Sequence, residues 1–535
     1  PVVSTPNLDR LAARGVRFTR HFSNCAPCAP SRASLLTGLW QMNHRVTNNG
    51  APLADDLPML PRLLREVGYA PALFGYTDTA LDPRSLAEDD PRQRNWEEAM
   101  PGFDVQVMLD EQLGPWLEWL AARGYEVPRD GEDPEGIYEP ADVEVPPGRG
   151  STWRPARYRA EHTESAFVTE AVLDWLSRPG RADEPWCAHV SYLRPHPPYL
   201  APEPYHDLAD PAEVPDPVRH PTRDREATLH PFVEAAQVIV PSPDDPLDQR
   251  QLQATYYGMV AEVDHQVGRV LDHLDATGMA DDTLVVLTSD HGEQLGDHWL
   301  VEKLGFFDQS FHIPLIVRWP AGGRAGATVD AFTENVDVLP TILDLVGSRP
   351  PDFCDGASLR PFVEGDGAAP PTWRQAVHWE YDFRDPTSDL VEAVLGLRQD
   401  QACLAVLRSD HGKYVHFAGG LPPLWFDLDD DPHELVDRST DPAATAKVLD
   451  HAQQLLTLRL EHADPRLANT RVTPEGTVHR ADPPRPQAPL LEQGPHRHLS
   501  LEAADADRQD LPPGAGPDRR GIPGPVRLPL YHLRL

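Results

Sequence analysis

Three short stretches of this 535-residue chain concentrate residue types that do chemistry. The first, Cys25-Ala-Pro-Cys28-Ala-Pro-Ser31-Arg32, runs on to Thr37-Gly38 and sets two thiols three residues apart with an arginine one helical turn beyond. A Cys-x-x-Cys pair is compatible with a redox couple or with half of a zinc site. Zinc needs a second ligand pair, and Cys187, Cys354 and Cys403 are scattered. A redox couple leaves Pro30, Ser31, Arg32, Thr37 and Gly38 without a purpose. Pro30 can open a helix, which sets position 28 at an exposed helix start, just ahead of free N–H groups where an anionic nucleophile is stabilised.

The second stretch, Thr288-Ser-Asp290-His291-Gly-Glu293, follows an apolar run and places a carboxylate beside an imidazole, a metal half-site at the C-terminal end of a strand. An imidazole among oxygen donors favours Mn, Fe or Zn over Ca, and manganese is the first choice. Asp410-His411-Gly412 repeats the tripeptide between Leu407 and Tyr414 and reads as an ordinary hairpin turn. In the third stretch, Arg194-Pro-His196-Pro-Pro198, prolines fix the backbone and limit where the imidazole can point, which suits protonation of a leaving group. His189 lies inside a predicted strand and reads as core; His21 and His44 have no comparable context.

Alternating helices and buried strands must position these groups, so the fold class is α/β. The pattern predicts a helix from Asn7 that stops at Gly15, a second over 28–40, a buried strand Tyr69–Tyr76, and a half-covered strand Trp186–Tyr192. It also predicts a buried strand Thr283–Thr288 preceded by a helix through Val260, Val267 and Leu274. Val127–Gly150 and Ala201–Asp248, rich in Pro, Asp and Glu, read as long surface insertions. The catalytic unit spans 1–371. Residues 372–475 form a small α+β domain of short strands (Ala376–Tyr381, Cys403–Arg408, Lys413–Phe417, Trp425–Asp427) and a helix Ala443–His462. Residues 476–535, with eleven prolines in the last 55, read as a disordered tail without a packed element.

Composition narrows the partners. Forty-eight basic against 84 acidic residues give a net charge of −36, which repels nucleic-acid backbones and anionic lipid surfaces. No apolar run reaches the ~20 residues of a spanning helix. Five cysteines are too few for a disulfide framework and fit a reducing, cytoplasmic compartment.

Cys28-x-Pro30-x-Arg32 with Thr37-Gly38, Asp290-His291-Gly292-Glu293 running through His298, and Lys303 together resemble the sulfatase branch of the alkaline phosphatase superfamily. The resemblance spans about residues 4–475. It implies an alkaline phosphatase-like mixed sheet flanked by helices and a cysteine, Cys28, converted to formylglycine by a formylglycine-generating enzyme. It also implies that Arg32 holds the hydrated aldehyde and that Lys303 contacts the transferred group. His196 becomes the general acid, and a divalent metal sits on Asp290, His291 and residue 28; His298 is a supporting residue.

Phe74-Gly-Tyr76-Thr-Asp78-Thr79 stands where many arylsulfatases carry Gly-Lys-Trp-His-Leu-Gly. That departure, with Met42–Arg45, Arg194–Pro198, His378–Arg384 and Leu421–Asp427, resembles phosphonate monoester hydrolases, which also cleave phosphodiesters and sulfate esters and tend to form homotetramers. In that subgroup Asn49 and Tyr76 would contact the small anionic ester, while Asp78 departs from an uncharged hydroxyl residue and would repel it. An arylsulfatase and a catalytically impaired anion-binding homologue are the competing readings. Family members also carry a first strand, with acidic and amide metal ligands, ahead of the Thr5–Leu11 segment. Reading the chain as cut before Pro1 leads one to expect half a metal site, weak Mn binding and a central gap in the sheet.

Overall fold

The computed structural model describes residues 2–129, 131–365, 367–463, 470–474, 476–479 and 528–533. Its core is a large mixed sheet built from β1 (Val16–Phe22), β2 (Ala70–Gly75), β3 (Asp104–Met108), β4 (Trp186–Tyr192), β5 (Val285–Ser289), β6 (His312–Arg318), β7 (Ala327–Val329) and, from the far end of the chain, β12 (Leu528–Leu533). The strand order is β7-β1-β6-β5-β12-β4-β2-β3, with the short Thr333–Glu334 also paired to β1. Only β6 runs against the others, pairing antiparallel with both β1 and β5.

Helices cover both faces. On one side lie α1 (Pro6–Arg14), α3 (Glu164–Leu176) and the long α5 (Pro246–Thr277), whose Val263, Val267, Val270 and Leu274 pack on Val285 and Leu287. On the other lie α2 (Cys28–Thr37) and α6 (Val338–Leu345), which bury Ala33, Leu36, Leu339 and Ile342 against Val286 and Leu315. The period of two in β5 therefore feeds two separate cores. Asp245 starts α5 by accepting N–H bonds from Leu247 and Asp248 at 2.8 and 3.1 Å, Pro246 fills its first turn, and Gly278 at φ +74° stops it.

The second unit is an antiparallel sheet of β8 (Ala376–Asp382), β9 (Cys403–Ser409), β10 (Gly412–Phe417) and β11 (Leu424–Asp427), closed by α7 (Thr445–Glu461). Its fifth strand is Cys25–Ala26, paired parallel to Glu380 and Tyr381. The residues leading directly into Cys28 are thus held by the C-terminal sheet. A buried lysine locks the same sheet to the catalytic unit. Lys413 on β10 lies 2.6 Å from Asp308, donates to the carbonyl of Phe306 at 3.2 Å, and is bonded to Glu434. Removing the lysine strands the buried Glu434, while Asp308 keeps Arg408 at 3.2 Å. Lys413→Met is expected to cost about 3–5 kcal/mol, read as a large fall in the thermal midpoint; an unchanged midpoint would mean that the two carboxylates are neutral.

Four expectations are corrected. Trp186–Tyr192 is buried at all seven residues, because the sheet is covered on both faces. Ala201–Asp248 is not merely a surface insertion: it contains α4 (Pro231–Ile239), whose Phe232, Val233 and Ala236 join an aromatic core with Phe306, Phe417 and Trp379, and it includes the start of α5. Val127–Gly150 does run over the surface as expected, anchored by buried Ile137 and Tyr138. The predicted disordered tail lies mostly outside the described residues, but Leu528–Leu533 forms β12, parallel to both β4 and β5. Backbone partners therefore fill the centre of the sheet, where a gap was expected. Among the described residues, no helix is long and apolar enough to cross a membrane.

Candidate active site

The chemistry-bearing residues converge at the C-terminal ends of the parallel strands, joined there by the start of α2. The helix begins at Cys28 itself, with Pro30 as its third residue. It is not an exposed helix start: every residue of α2 is buried, and Cys28 is 1% exposed. Ser31 ties this helix to the end of β5 by donating to the Asp290 carbonyl at 2.5 Å, and it also meets Ser23 at 2.9 Å. Gly38 at φ +70° ends the helix. Cys25 is free, faces Ser34 at 3.3 Å, and has its pKa pushed well up by burial, which makes it a poor redox partner.

Asp290 and His291 follow β5 directly. His291 sets its Nδ1 against the Gly292 carbonyl at 2.9 Å, so that nitrogen carries the proton and Nε2 presents a lone pair 3.4 Å from Cys28 Sγ. Gly292 is required here, since a Cβ would lie 2.0 Å from the Gln309 carbonyl oxygen. Burial by itself would lower the His291 pKa, but the Asp290 carboxylate and Cys28 outweigh it and hold the pKa above its ordinary value. The pocket thus attracts positive charge. That electrostatics, the imidazole Nε2 that faces Cys28 and the adjacent carboxylate fit a divalent cation. The ligating atoms of Cys28, His196 and His291 lie within 4.8 Å of one another. The support beneath Asp290 was invisible in the sequence: buried His21 bonds Asn335 at 3.0 Å, and Asn335 donates to the Ser289 carbonyl at 3.0 Å.

Arg32 is a buried arginine, not a surface one. Its Nε donates to Asp290 at 3.0 Å and lies 3.6 Å from Asp78, its Nη1 donates to the Tyr76 carbonyl at 3.1 Å, and its guanidinium stacks 3.9 Å above the Tyr76 ring. Asp78 therefore pairs with Arg32. The close approach of β2 to β4 that positions Tyr76 depends on Gly75, where a Cβ would fall 2.3 Å from the Ser191 carbonyl oxygen. The Tyr76 hydroxyl donates to the Tyr192 carbonyl at 3.5 Å. Asn49 accepts from the Ala29 amide at 3.0 Å, at the first turn of α2.

His196 extends from the end of β4, with Nδ1 set 2.8 Å from the Pro197 carbonyl. Its Nε2 is 2.7 Å from Lys303 Nζ, and an ammonium can only donate there. Lys303 reaches this point from a strained loop in which Leu295, His298, Trp299 and Glu302 all have positive φ. Half-buried Glu293 holds that loop by accepting from the Leu295 and Glu302 amides, and Glu302 bridges Lys303 at 3.3 Å. Sequence reasoning missed this role of Glu293 and Glu302; their position inside the Asp290–Lys303 run was the only signal. His298 does not reach the reacting groups: it bonds Glu226 at 2.8 Å and stacks on Phe307 at 3.5 Å. His411 of the repeated tripeptide is exposed in the β9–β10 turn and faces Asp429 at 3.0 Å.

Known proteins match this chain along nearly its whole length. The sulfatase profile covers residues 1–348, and the C-terminal profile of N-sulphoglucosamine sulphohydrolase covers 296–461. The multifunctional alkaline phosphatase superfamily protein PehA of Trinickia caryophylli is 42% identical over 498 residues, 90% of this chain and 94% of that protein. The crystal structure of the phosphonate monoester hydrolase of Agrobacterium radiobacter is 42% identical and superposes with a TM-score of 0.83, covering 89% of this chain and 95% of that one. The phosphonate monoester hydrolase of Silicibacter pomeroyi gives 39% and 0.84, with 90% and 95% coverage.

Proposed function

Because this chain belongs to the sulfatase family of the alkaline phosphatase superfamily, whose members work with a divalent metal and a formylglycine, we propose that it hydrolyses phosphonate monoesters and phosphodiesters, and sulfate esters as a side activity. The observation that carries the phosphorus reading is the wall after β2. There Tyr76 and Asp78 pack on Arg32, in place of the lysine and histidine that arylsulfatases turn toward sulfate. The likeness to phosphonate monoester hydrolases over nine-tenths of the chain supports it.

As a hydrate, formylglycine at position 28 supplies one hydroxyl to attack phosphorus or sulfur and a second to release the product. Asp290, His291 and residue 28 would hold the metal, manganese by their donor chemistry, which supplies a Lewis acid for the anionic group. Asp290 keeps one oxygen on Arg32, so the arginine fixes the carboxylate and offsets its charge. Lys303 binds an oxygen of the transferred group. His196 takes a proton at Nε2 from the Lys303 ammonium and passes it to the departing oxygen as its bond to phosphorus breaks, leaving Lys303 as the amine. Asn49 and Tyr76 shape the anion's side of the site.

Since Cys28 is buried, a formylglycine-generating enzyme must reach it before α2 packs. A homotetramer and a cytoplasmic location belong to the same proposal. Exposed Leu449, Leu456 and Leu460 on α7 support the first, and five free cysteines the second.

The test compares hydrolysis of 4-nitrophenyl phenylphosphonate, bis(4-nitrophenyl) phosphate and 4-nitrophenyl sulfate. The two phosphorus esters are expected to be the better substrates. A dominant sulfate activity would assign an arylsulfatase, and no turnover by protein carrying the modified residue would assign a binding homologue. Chelation followed by dialysis is expected to reduce turnover to near background, and Mn to restore it better than Ca; full activity in metal-free protein would contradict the metal assignment.

A further inference from the structure

A cavity opens beside His196 and Tyr76, and its lining is unusual for an enzyme that takes an anion. Glu97, Asp110, Glu111 and Glu135 all border it, and no lysine or arginine does. Leu109, Leu113, Tyr138 and Leu193 supply its apolar wall. Glu97 is the informative member, at 6% exposed. One of its oxygens accepts the Glu111 amide at 2.8 Å, and the other has no hydrogen-bond donor among the described residues. Burial and the nearby charges of Asp78, Glu111 and Asp110 push its pKa up to about 8.

The cationic groups of the site stand elsewhere. Arg32 is taken by Asp290 and Asp78, Lys303 by His196 and Glu302, and Arg194, behind Tyr138, by Glu164 at 2.5 Å. A carboxyl group buried this far is held toward its neutral form until a positive partner arrives, and a cation beside it restores the charge.

Resting on the hydrolase reading above, we propose that this cavity receives the leaving group of the ester and selects one that carries an organic ammonium. His196 touches both compartments. The anionic centre lies toward Cys28, His196 and Lys303, and the departing alcohol or phenol extends over Tyr76 toward Glu97. An ammonium there gives Glu97 the positive charge that no side chain of the cavity supplies. A second anionic group on the leaving side is repelled by all four carboxylates.

The experiment uses two phenylphosphonate esters whose phenols have similar acidity, the 3-(trimethylammonio)phenyl and the 3-nitrophenyl, assayed at low salt. The cationic ester is expected to show a kcat/KM at least about tenfold higher, with the ratio shrinking as salt rises and collapsing toward one in Glu97→Gln/Glu135→Gln. A ratio of one or less in the wild-type enzyme overturns the proposal, while turnover of the neutral ester leaves the hydrolase reading standing. A preference that survives in the double variant assigns it to the overall charge of −36 and equally overturns the cavity. Should neither ester be hydrolysed, the hydrolase reading fails, and calorimetry with phenyltrimethylammonium decides on the cavity alone. Binding that weakens in the double variant supports the cavity, and absence of binding by wild-type protein refutes it.

Discussion

Cys28→Ala is expected to lower turnover of every ester by about 10⁴-fold or more, because it removes the group placed to form the covalent intermediate. The fold should survive. Alanine is nearly the size of the buried thiol it replaces, and the bonds that hold α2 in place, from Ser31 to the Asp290 carbonyl and from Arg32 to Asp290 and Tyr76, are untouched. Circular dichroism and the thermal midpoint check the fold, and initial rates check the chemistry. Wild-type protein provides the matched control through the intact mass of its tryptic peptide His21–Arg32. Active protein whose residue 28 is wholly unmodified cysteine would sink the formylglycine assignment. Cys25, three residues away, is turned toward Ser34 and held protonated by burial, so Cys25→Ser is expected to preserve the modified fraction.

The second large effect belongs to His196. Its alanine variant is expected to lose about 10²–10⁴-fold on esters with poor leaving groups and far less on 4-nitrophenyl esters, whose departing oxygen needs no proton. The geometry adds a sharper expectation. Lys303 donates to His196 Nε2 at 2.7 Å, so a proton can pass along that bond to the imidazole. Lys303→Met is therefore expected to erode the same leaving-group dependence and to raise KM for the anion as well, whereas His196→Ala leaves KM nearly unchanged. Equal losses for good and poor leaving groups in His196→Ala would make this histidine a structural residue.

Much of this molecule was legible in the sequence wherever the determinant was local. The apolar positions from Val260 to Leu274 marked the body of α5 but not its start, the continuous apolar run gave β5, and four short apolar strands with one helix gave the C-terminal unit almost residue by residue. Local rules also separated the two Asp-His-Gly tripeptides, since one follows a buried strand and the other sits in an exposed hairpin turn. Burial was read less well. An arginine, an aspartate and a cysteine that could each stand on a surface, Arg32, Asp78 and Cys28, are all buried, because the stacked Tyr76 ring and the Asp290 carboxylate come from other parts of the chain.

By itself the sequence named the groups that the fold brings near one another: a cysteine at a helix start, a carboxylate–imidazole pair after a buried strand, a proline-fixed histidine and a distant lysine. It also determined the α/β class, through hydrophobic periods that depend only on neighbouring residues. The tertiary structure alone decided what surrounds those groups. It paired Cys25–Ala26 with β8 across more than 350 residues, set Glu97 against a cavity bordered by no lysine or arginine, and placed β12 between β4 and β5. That strand lies in the proline-rich stretch whose lack of periodicity argued against any packed element, and its Pro529 has no N–H to give to the ladder. Strand pairing and buried charge partners are set by residues far apart in the chain, and no local period or spacing carries that information.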